Sequence, residues 1–262
     1  MMIKWKLVLT TLPVVALIVG AAVVRDRVFH LPGVIDFGDV SPILPAVALI
    51  VGFMLAGVFA DYKESEKIPG EIATTLETLG DTVDTVVALA KDTDVSEFKP
   101  KFRRLVSTVE DWLLRRTSVQ QCYAALSDFN TVVQVMQPAA GVSYTIRALG
   151  EMHNLRRLVT RVDVISRTSF IAVGYALLDL LAWSTIALLL ISNYKSLIAE
   201  YLLIGLFSLV YIYMIRLIRD LDEPFLYKSE KTPAGSAEAN PFPLTEYRER
   251  LEAGHEESSQ RS

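Results

Sequence analysis

One carboxylate lies far inside a long apolar run, and it is the residue best placed to do chemistry. Asp179 falls between Phe170 and Ile191. It lies about 18 Å along a helix counted from Arg167, near the middle of a bilayer. An ionised carboxylate at that depth is costly. No lysine, arginine or histidine lies at matching depth in another apolar run. The sequence therefore predicts no ion pair for Asp179 within one chain.

Two interpretations of Asp179 stay open. Tyr175 shares its helix face, and Ser208 and Tyr211 in the last apolar run are candidate hydrogen-bond partners. A charged residue inside a membrane span often marks an ion or proton pathway. The alternative is a protonated aspartate packed against these hydroxyl groups.

The residues that usually carry enzymatic or metal chemistry are few and scattered. Cys122 is the single cysteine, and the three histidines, His30, His153 and His255, fall in separate segments. This excludes an intrachain disulfide and a cysteine-based zinc site, and no histidine pair has metal-ligand spacing. No nucleotide-binding loop or hydrolase signature occurs. We expect no enzyme, no catalytic residue, no metal and no cofactor. With a net charge of −4 and no basic patch bearing aromatics, we expect no nucleic-acid partner.

The second apolar run, Pro42 to Ala60, contains no polar side chain. Small residues recur there at every fourth position: Ala48, Gly52, Ala56 and Ala60. Such a stripe lets helix backbones approach closely. Leu49 and Phe53 form a neighbouring apolar face. This helix could line a pore whose apolar rings gate by losing water. The alternative is a span that only contacts lipid and packs on other helices.

Four apolar runs determine the predicted fold class. They are Leu7–Val24, Pro42–Ala60, Phe170–Ile191 and Leu197–Ile218. A hydrocarbon core of about 30 Å needs roughly 20 apolar residues in a helix. The mean hydropathy of +0.36 and the 52% hydrophobic content agree with this. The first run is longer than a signal-peptide core and no clear cleavage site follows it, so we expect a retained helix. The sequence predicts an all-α membrane protein with four transmembrane helices in two pairs around a helical cytoplasmic domain.

The predicted organisation has four parts. These are a first transmembrane pair (1–60), a cytoplasmic helical domain (61–167), a second transmembrane pair (168–219) and a partly disordered cytoplasmic tail (220–262). Under this topology 23 lysines and arginines lie on one side of the membrane and three on the other. The positive-inside bias predicts a multi-pass protein of the cell membrane with both termini and the middle domain in the cytoplasm.

The middle and the tail have local signals of their own. Helical periodicity recurs through the middle, and no alternation typical of strands is sustained. Lys91–Glu97 is predicted to be a loop in which Ser96 or Asp94 caps the next helix. Pro138–Gly141 is predicted to be a second break. In the tail, Thr245–Leu251 is expected to form a short helix and Gly254–Ser262 to be disordered.

Three segments of the sequence resemble segments of a known protein family. The first comprises Gly52–Ala56 and Asp61–Pro69, the second is Asp222–Phe225, and the third is Asn240–Glu246. The first resembles the pore helix of the bestrophin family as it passes into its charged cytoplasmic extension. The other two are similar to the region after the fourth bestrophin helix, where a Pro-Phe pair precedes an Asn-Asp-Leu-Pro-Leu-like stretch. The layout of two helix pairs around a cytoplasmic domain also agrees with this family and its prokaryotic relatives.

The resemblance implies a homo-oligomeric, pentameric channel that conducts inorganic anions such as chloride, with the second helix lining the pore. Bulky apolar residues spaced four apart form the bestrophin neck, and Leu49 and Phe53 match two of these positions. The third position falls on Pro45. The acidic run that binds calcium in animal bestrophins is absent, and calcium dependence is not predicted. Its remnant here is Asp220, Asp222 and Glu223.

Two other functions compete with the channel. One is a non-conducting membrane scaffold or signalling protein whose cytoplasmic helices bind a partner. The other is a proton-coupled transporter built around Asp179. The sequence shows neither the broken helices nor the inverted repeat that are expected of that class. Under every alternative the lipid bilayer is a partner.

Overall fold

The computed structural model describes residues 5–167, 172–227 and 237–260, and most of them are helical. The helices of this part are α1 (Lys6–Arg27), α2 (Phe37–Val40), α3 (Ile43–Ser65), α4 (Ile68–Leu89), α5 (Phe98–Leu113), α6 (Val119–Ala140), α7 (Val142–Arg167), α8 (Ala172–Ile191), α9 (Leu197–Leu221) and α10 (Phe242–Gln260). Two short strands are β1 (Ile35–Asp36) and β2 (Ser192–Asn193). The predicted all-α fold class is confirmed.

Four stretches of the described chain are long and apolar enough to cross a membrane, judged by length and composition. They contain α1, α3, α8 and α9, which coincide with the four predicted runs. Phe170, the predicted first residue of the third run, lies outside the described residues. The chain therefore has the helix content of a multi-pass membrane protein.

The chain divides into two compact units. The first contains α1, α2, most of α3, α8 and α9. The second contains α4 to α7 and α10. Each unit has an apolar core of its own.

In the first unit, α1 packs along α9, and α9 packs beside α8. Val15, Ile18 and Ala22 on α1 share one apolar cluster with Ile204 and Ile212 on α9. Spacings of three and four residues on α1 and of eight residues on α9 put these side chains on one face of each helix, so the helices meet along a continuous row.

A small parallel pairing of strands, which the sequence did not predict, lies in the first unit. Ile35 aligns with Ser192, and Asp36 with Asn193. Gly33 makes the close approach possible, because a Cβ atom there would lie 2.5 Å from the Asn193 main-chain nitrogen. Two-residue strands carry no alternating pattern long enough to be read from the sequence.

The second unit is a bundle built on the predicted helical periodicity. Ile72, Leu76, Leu79 and Val83 of α4 are all buried in its core. α4 packs on α7, α5 on α6, and α6 on α7. Burying a leucine or isoleucine side chain contributes about 1.5–3 kcal/mol, so this row accounts for much of the adhesion of α4.

The predicted loop Lys91–Glu97 and the predicted break within Pro138–Gly141 are both present, but each differs in one detail. The helix α5 follows Glu97, whose side chain makes no capping bond, and Asp94 instead accepts a hydrogen bond from the Ser96 main-chain nitrogen at 3.0 Å. That bond also lowers the pKa of Asp94. Pro138 lies inside α6, and the helix ends at Gly141, whose φ of 99° suits glycine.

The described part of the tail contains a longer helix than its composition predicts. The predicted helix over Thr245–Leu251 is confirmed, but α10 extends from Phe242 to Gln260. The described helix thus includes Gly254–Gln260, where the sequence predicts disorder. Leu244 and Tyr247 are buried in the core of the second unit, and this burial offsets the weak intrinsic signal of a polar sequence.

Candidate functional site

Helix α3 packs on the rest of the first unit through one narrow row of side chains. Val47, Val51 and Val58 are buried and share a cluster with Leu178 of α8 and Tyr211 of α9. The Tyr211 hydroxyl also donates to a main-chain carbonyl near the start of α3 at 2.9 Å. Spacings of four and seven residues put the three valines on one side of the helix.

The opposite side of α3 carries the two predicted neck residues. Leu49 is 59% exposed and Phe53 is 69% exposed. Within the described part of a single chain, most of each side chain therefore has no covering residue. The two side chains lie one above the other because they are four residues apart on the helix. Their role in a neck stays a prediction.

The small-residue stripe of α3 is exposed as well. It comprises Ala48, Gly52, Ala56 and Ala60. A Cβ atom added at Gly52 would meet no described atom within 4 Å. The stripe does not serve packing within the described chain. Its predicted use, close approach of another helix, would need a second copy of the chain.

The prediction that Asp179 lacks a counter-charge is wrong. Arg219 Nη2 lies 2.6 Å from Asp179 Oδ2, and the two side chains are 53% and 40% exposed. Helix α9 continues to Leu221, and the long arginine side chain places its charge away from its own backbone. The transporter interpretation loses its uncompensated carboxylate.

The predicted hydroxyl partners of Asp179 do not contact it. Tyr211 donates to α3, as described above. Ser208 is fully buried, and its Oγ has no hydrogen-bond partner among the described residues. Tyr175, on the predicted face, contacts Asp179's partner instead: the Arg219 guanidinium carbon lies 5.8 Å from the centre of the tyrosine ring. Arg219 is therefore held by a carboxylate and an aromatic face together.

A buried ion pair that sequence reasoning missed joins α1 to α9. Arg25 donates to the Glu200 carboxylate and to the Leu190 carbonyl at the end of α8. The side chains of Arg25 and Glu200 are 17% and 7% exposed. Arg25 lies in the last turn of α1 and Glu200 in the first turn of α9, so each charge is stabilised by its own helix end. The pair was missed because Arg25 lies just outside the predicted apolar run Leu7–Val24 and its partner lies 175 positions away.

A second carboxylate completes this cluster. Asp26 Oδ1 accepts a hydrogen bond from Arg25 Nε at 2.6 Å, and Asp26 Oδ2 accepts one from the Tyr201 hydroxyl at 3.1 Å. Two carboxylates thus share one guanidinium. Through these bonds the cluster connects the ends of α1, α8 and α9.

The two tail segments that resemble bestrophins come together in the second unit. The Ala239 main-chain nitrogen donates to the Pro224 carbonyl at 2.7 Å, and the Tyr227 hydroxyl donates to the Ala239 carbonyl at 2.6 Å. Arg115 Nε donates to the Phe225 carbonyl at 3.3 Å. Asn240 Oδ1 then accepts from the main chain at the start of α10, at 3.1 Å. These residues form a bonded platform from which α10 begins.

No cluster of three or more histidine, cysteine, aspartate or glutamate side chains that could hold a metal ion occurs in the described ranges. Asp220 and Asp222 lie at the end of α9, with Glu223 directly after them. Neither the sequence nor this geometry assigns them a ligand.

No protein-family model matches the sequence, and no curated protein sequence matches it. Solved structures do match, and those named here are of bacterial bestrophin homologues or are described as membrane proteins. A bacterial bestrophin homologue from Klebsiella pneumoniae, solved by zinc phasing, aligns with a TM-score of 0.70 and 11% identity over 94% of this chain and 96% of that chain.

A mutant of the Klebsiella pneumoniae bestrophin homologue gives a TM-score of 0.68 and 11% identity over 96% of this chain and 98% of that chain. A further mutant, described as a membrane protein, gives a TM-score of 0.70 and 12% identity over 91% and 94% of the two chains. Identities this low establish the fold alone. The chain therefore has the fold of bacterial bestrophin homologues, and the resemblance noted in the sequence is confirmed at that level.

Proposed function

We propose that this protein forms a homo-oligomeric ion channel in which α3 of each copy lines a central pore. The observation that carries the proposal is the uncovered apolar side of α3, where Leu49 and Phe53 lie one above the other. Rings of these residues from several copies would form an apolar constriction that gates by losing water. The bestrophin fold supports this assembly, and the resemblance implies five copies and anion conduction.

The small-residue stripe supports contact between copies. The backbone of α3 is bare at Gly52 and nearly bare at Ala48 and Ala56, so a neighbouring helix can approach closely. Chain-to-chain packing beside the stripe would leave Leu49 and Phe53 facing the common axis. A single copy cannot enclose a pore with one such helix.

Charge at one end of the proposed pore comes from the end of α3. Lys63 Nζ lies 5.7 Å from the centre of the Phe59 ring and 5.8 Å from that of Tyr62. Asp61 is exposed nearby along the helix. Because the signs are mixed, the preference for anions such as chloride rests on the resemblance. The charge bias along the chain favours a plasma-membrane protein with the second unit and both termini in the cytoplasm.

A non-conducting scaffold is the second candidate, and one observation favours it. Val142, Ile146 and Leu149 are exposed on α7 at helical spacing. Such a row could bind a partner protein instead of another copy. The scaffold predicts no ion flux from the purified protein, so flux separates the two functions.

Chloride efflux from liposomes containing the purified full-length protein tests the channel directly. We expect wild-type protein to release chloride and Leu49→Ala to release it faster, because a shorter side chain widens the constriction. Leu17→Ala is the matched control, since Leu17 is an exposed leucine of α1 outside the proposed pore. A chloride-tight wild type that stays tight in Leu49→Ala, or a strictly monomeric protein in mild detergent, would contradict the channel.

A further inference from the structure

The second unit contains a cleft between α4, α5 and α10. Its volume is about 360 Å³, which lies within the range of small-molecule sites. All three walls belong to this unit. None of its residues takes part in the proposed pore.

The floor of the cleft is apolar and aromatic. Val83, Phe102 and Tyr247 are each at least nine-tenths buried. Gly80 contributes bare backbone: a Cβ atom there would lie 2.6 Å from the Tyr247 hydroxyl and 3.0 Å from the Phe102 ring. The Tyr247 hydroxyl donates to the Leu76 carbonyl at 3.3 Å. Burial and the neighbouring carboxylates raise the pKa of Tyr247, which keeps this hydroxyl a donor.

The rim carries three carboxylates and three cations, so its formal charge is balanced. Four of them are already paired. Arg250 lies 3.2 Å from Glu77, and Lys99 lies 2.8 Å from Asp84. These pairs flank the cleft and are largely exposed to solvent.

Two opposite charges remain on facing walls. Among the described residues, the side chains of Asp81 on α4 and Arg103 on α5 form no ion pair with one another or with any other group. An unpaired carboxylate and an unpaired guanidinium above an aromatic floor present two charged anchor points and one apolar surface. Asp81 is exposed and Arg103 is half-buried, so water solvates each of them when the cleft is empty. A ligand with one charge could pair with one anchor only, whereas a ligand that carries both charges could pair with both.

We infer that this cleft binds a small zwitterion with an apolar or aromatic body, of the kind that free amino acids represent. Its ammonium group pairs with Asp81. Its carboxylate takes the two parallel hydrogen bonds that the Arg103 guanidinium offers. Its body rests against Phe102 and Tyr247. The site is independent of the proposed pore.

Isothermal titration calorimetry on the full-length protein in detergent tests the inference, with L-phenylalanine and L-leucine as probes. Two phenylalanine analogues separate the charges: hydrocinnamate lacks the ammonium group, and phenethylamine lacks the carboxylate. We expect at least one of the two amino acids to bind. If phenylalanine binds, we expect each of its two analogues to bind at least tenfold more weakly than phenylalanine itself.

Variants of the two anchors complete the test. Asp81→Asn and Arg103→Gln should each weaken amino-acid binding at least tenfold. Asp92→Asn and Arg147→Gln, exposed charges outside the cleft, should leave it unchanged. The inference is overturned if neither amino acid binds at millimolar concentration, if an analogue binds as tightly as phenylalanine, or if the anchor variants retain wild-type affinity. Because calorimetry needs no ion flux, this result stands apart from the channel proposal.

Discussion

The pairing of Glu110 with Arg248 decides how firmly α10 is held to the bundle. The Glu110 side chain is only 4% exposed, and Arg248 Nη1 lies 2.6 Å from it. Arg248 also bonds Glu252 on its own helix at 2.8 Å. The hydrogen bonds to Glu252 and Glu110 raise the pKa of Arg248, so the guanidinium stays charged. A buried carboxylate with one main counter-charge is vulnerable to loss of that partner.

Arg248→Ala should lower the free energy of unfolding by about 3–5 kcal/mol, because the buried Glu110 side chain loses its counter-charge. The measurement is the melting temperature of the full-length protein in detergent. Arg250→Ala is the matched control on the same helix: its pair with Glu77 is exposed and is worth about 0–1 kcal/mol. Replacing both Glu110 and Arg248 by leucine should recover most of the loss. Equal losses in the two arginine variants would refute this assignment.

The buried Cys122 thiol predicts a dependence of stability on pH. Burial raises its pKa from the ordinary 9.0 to about 12. Between these values the unfolded chain loses the proton and the folded chain keeps it, so stability is full below about pH 9 and falls as pH rises toward 12. Melting temperatures at pH 8 and pH 10 measure the fall, which should be smaller in Cys122→Ala. An identical fall in both proteins would show that the thiol does not contribute.

At the level of elements, the contact of α4 with α10 depends on a missing side chain. Gly80→Ala should destabilise the second unit, because the added Cβ atom meets the Tyr247 hydroxyl at 2.6 Å. Gly150→Ala is the matched control in α7, where the added atom meets no described atom within 4 Å. The control should stabilise by about 0.5–1 kcal/mol through helix propensity. The melting temperatures of both variants test this prediction. A higher melting temperature in both variants would disprove the close contact at Gly80.

The elements themselves could be predicted from the sequence because their signals are local. The four apolar runs give α1, α3, α8 and α9, and the periodic row from Ile72 to Val83 gives the buried side of α4. Helix ends were predicted less well. The side chain of Glu97 makes no capping bond at the start of α5, and α10 is ordered by packing of Leu244 and Tyr247 that its own composition does not show.

Pairings between elements could not be predicted from the sequence. Asp179 and Arg219 are 40 positions apart, and Arg25 and Glu200 are 175 apart. Each pair depends on how far a helix extends and on where a long side chain places its charge. Counting charged residues inside the apolar runs identifies Asp179, but it does not identify Arg219, Arg25 or Glu200 as members of ion pairs. The sequence identified Leu49 and Phe53 as one apolar side of α3. Only the packed structure shows that no other residue of the described chain covers this side.

At the scale of the whole molecule, each unit has a distinct task under our proposals. The first unit supplies α3, whose valine row packs inward while Leu49 and Phe53 remain uncovered. The second supplies a stable bundle with a cleft of balanced charge. Assembly of several copies is what would convert an uncovered helix side into a pore.

The accessibility of position 53 to a charged, water-soluble thiol reagent tests the central claim most directly. Cys122 is the single cysteine and is buried, so an introduced cysteine is the reactive one. A lipid-facing cysteine is not reached by such a reagent, whereas a pore-lining one is. We predict that the reagent modifies Phe53→Cys in liposomes and changes its chloride efflux, while Leu17→Cys is unaffected. Unchanged efflux in a Phe53→Cys protein that conducts chloride, or equal effects at both positions, would contradict a pore lined by α3.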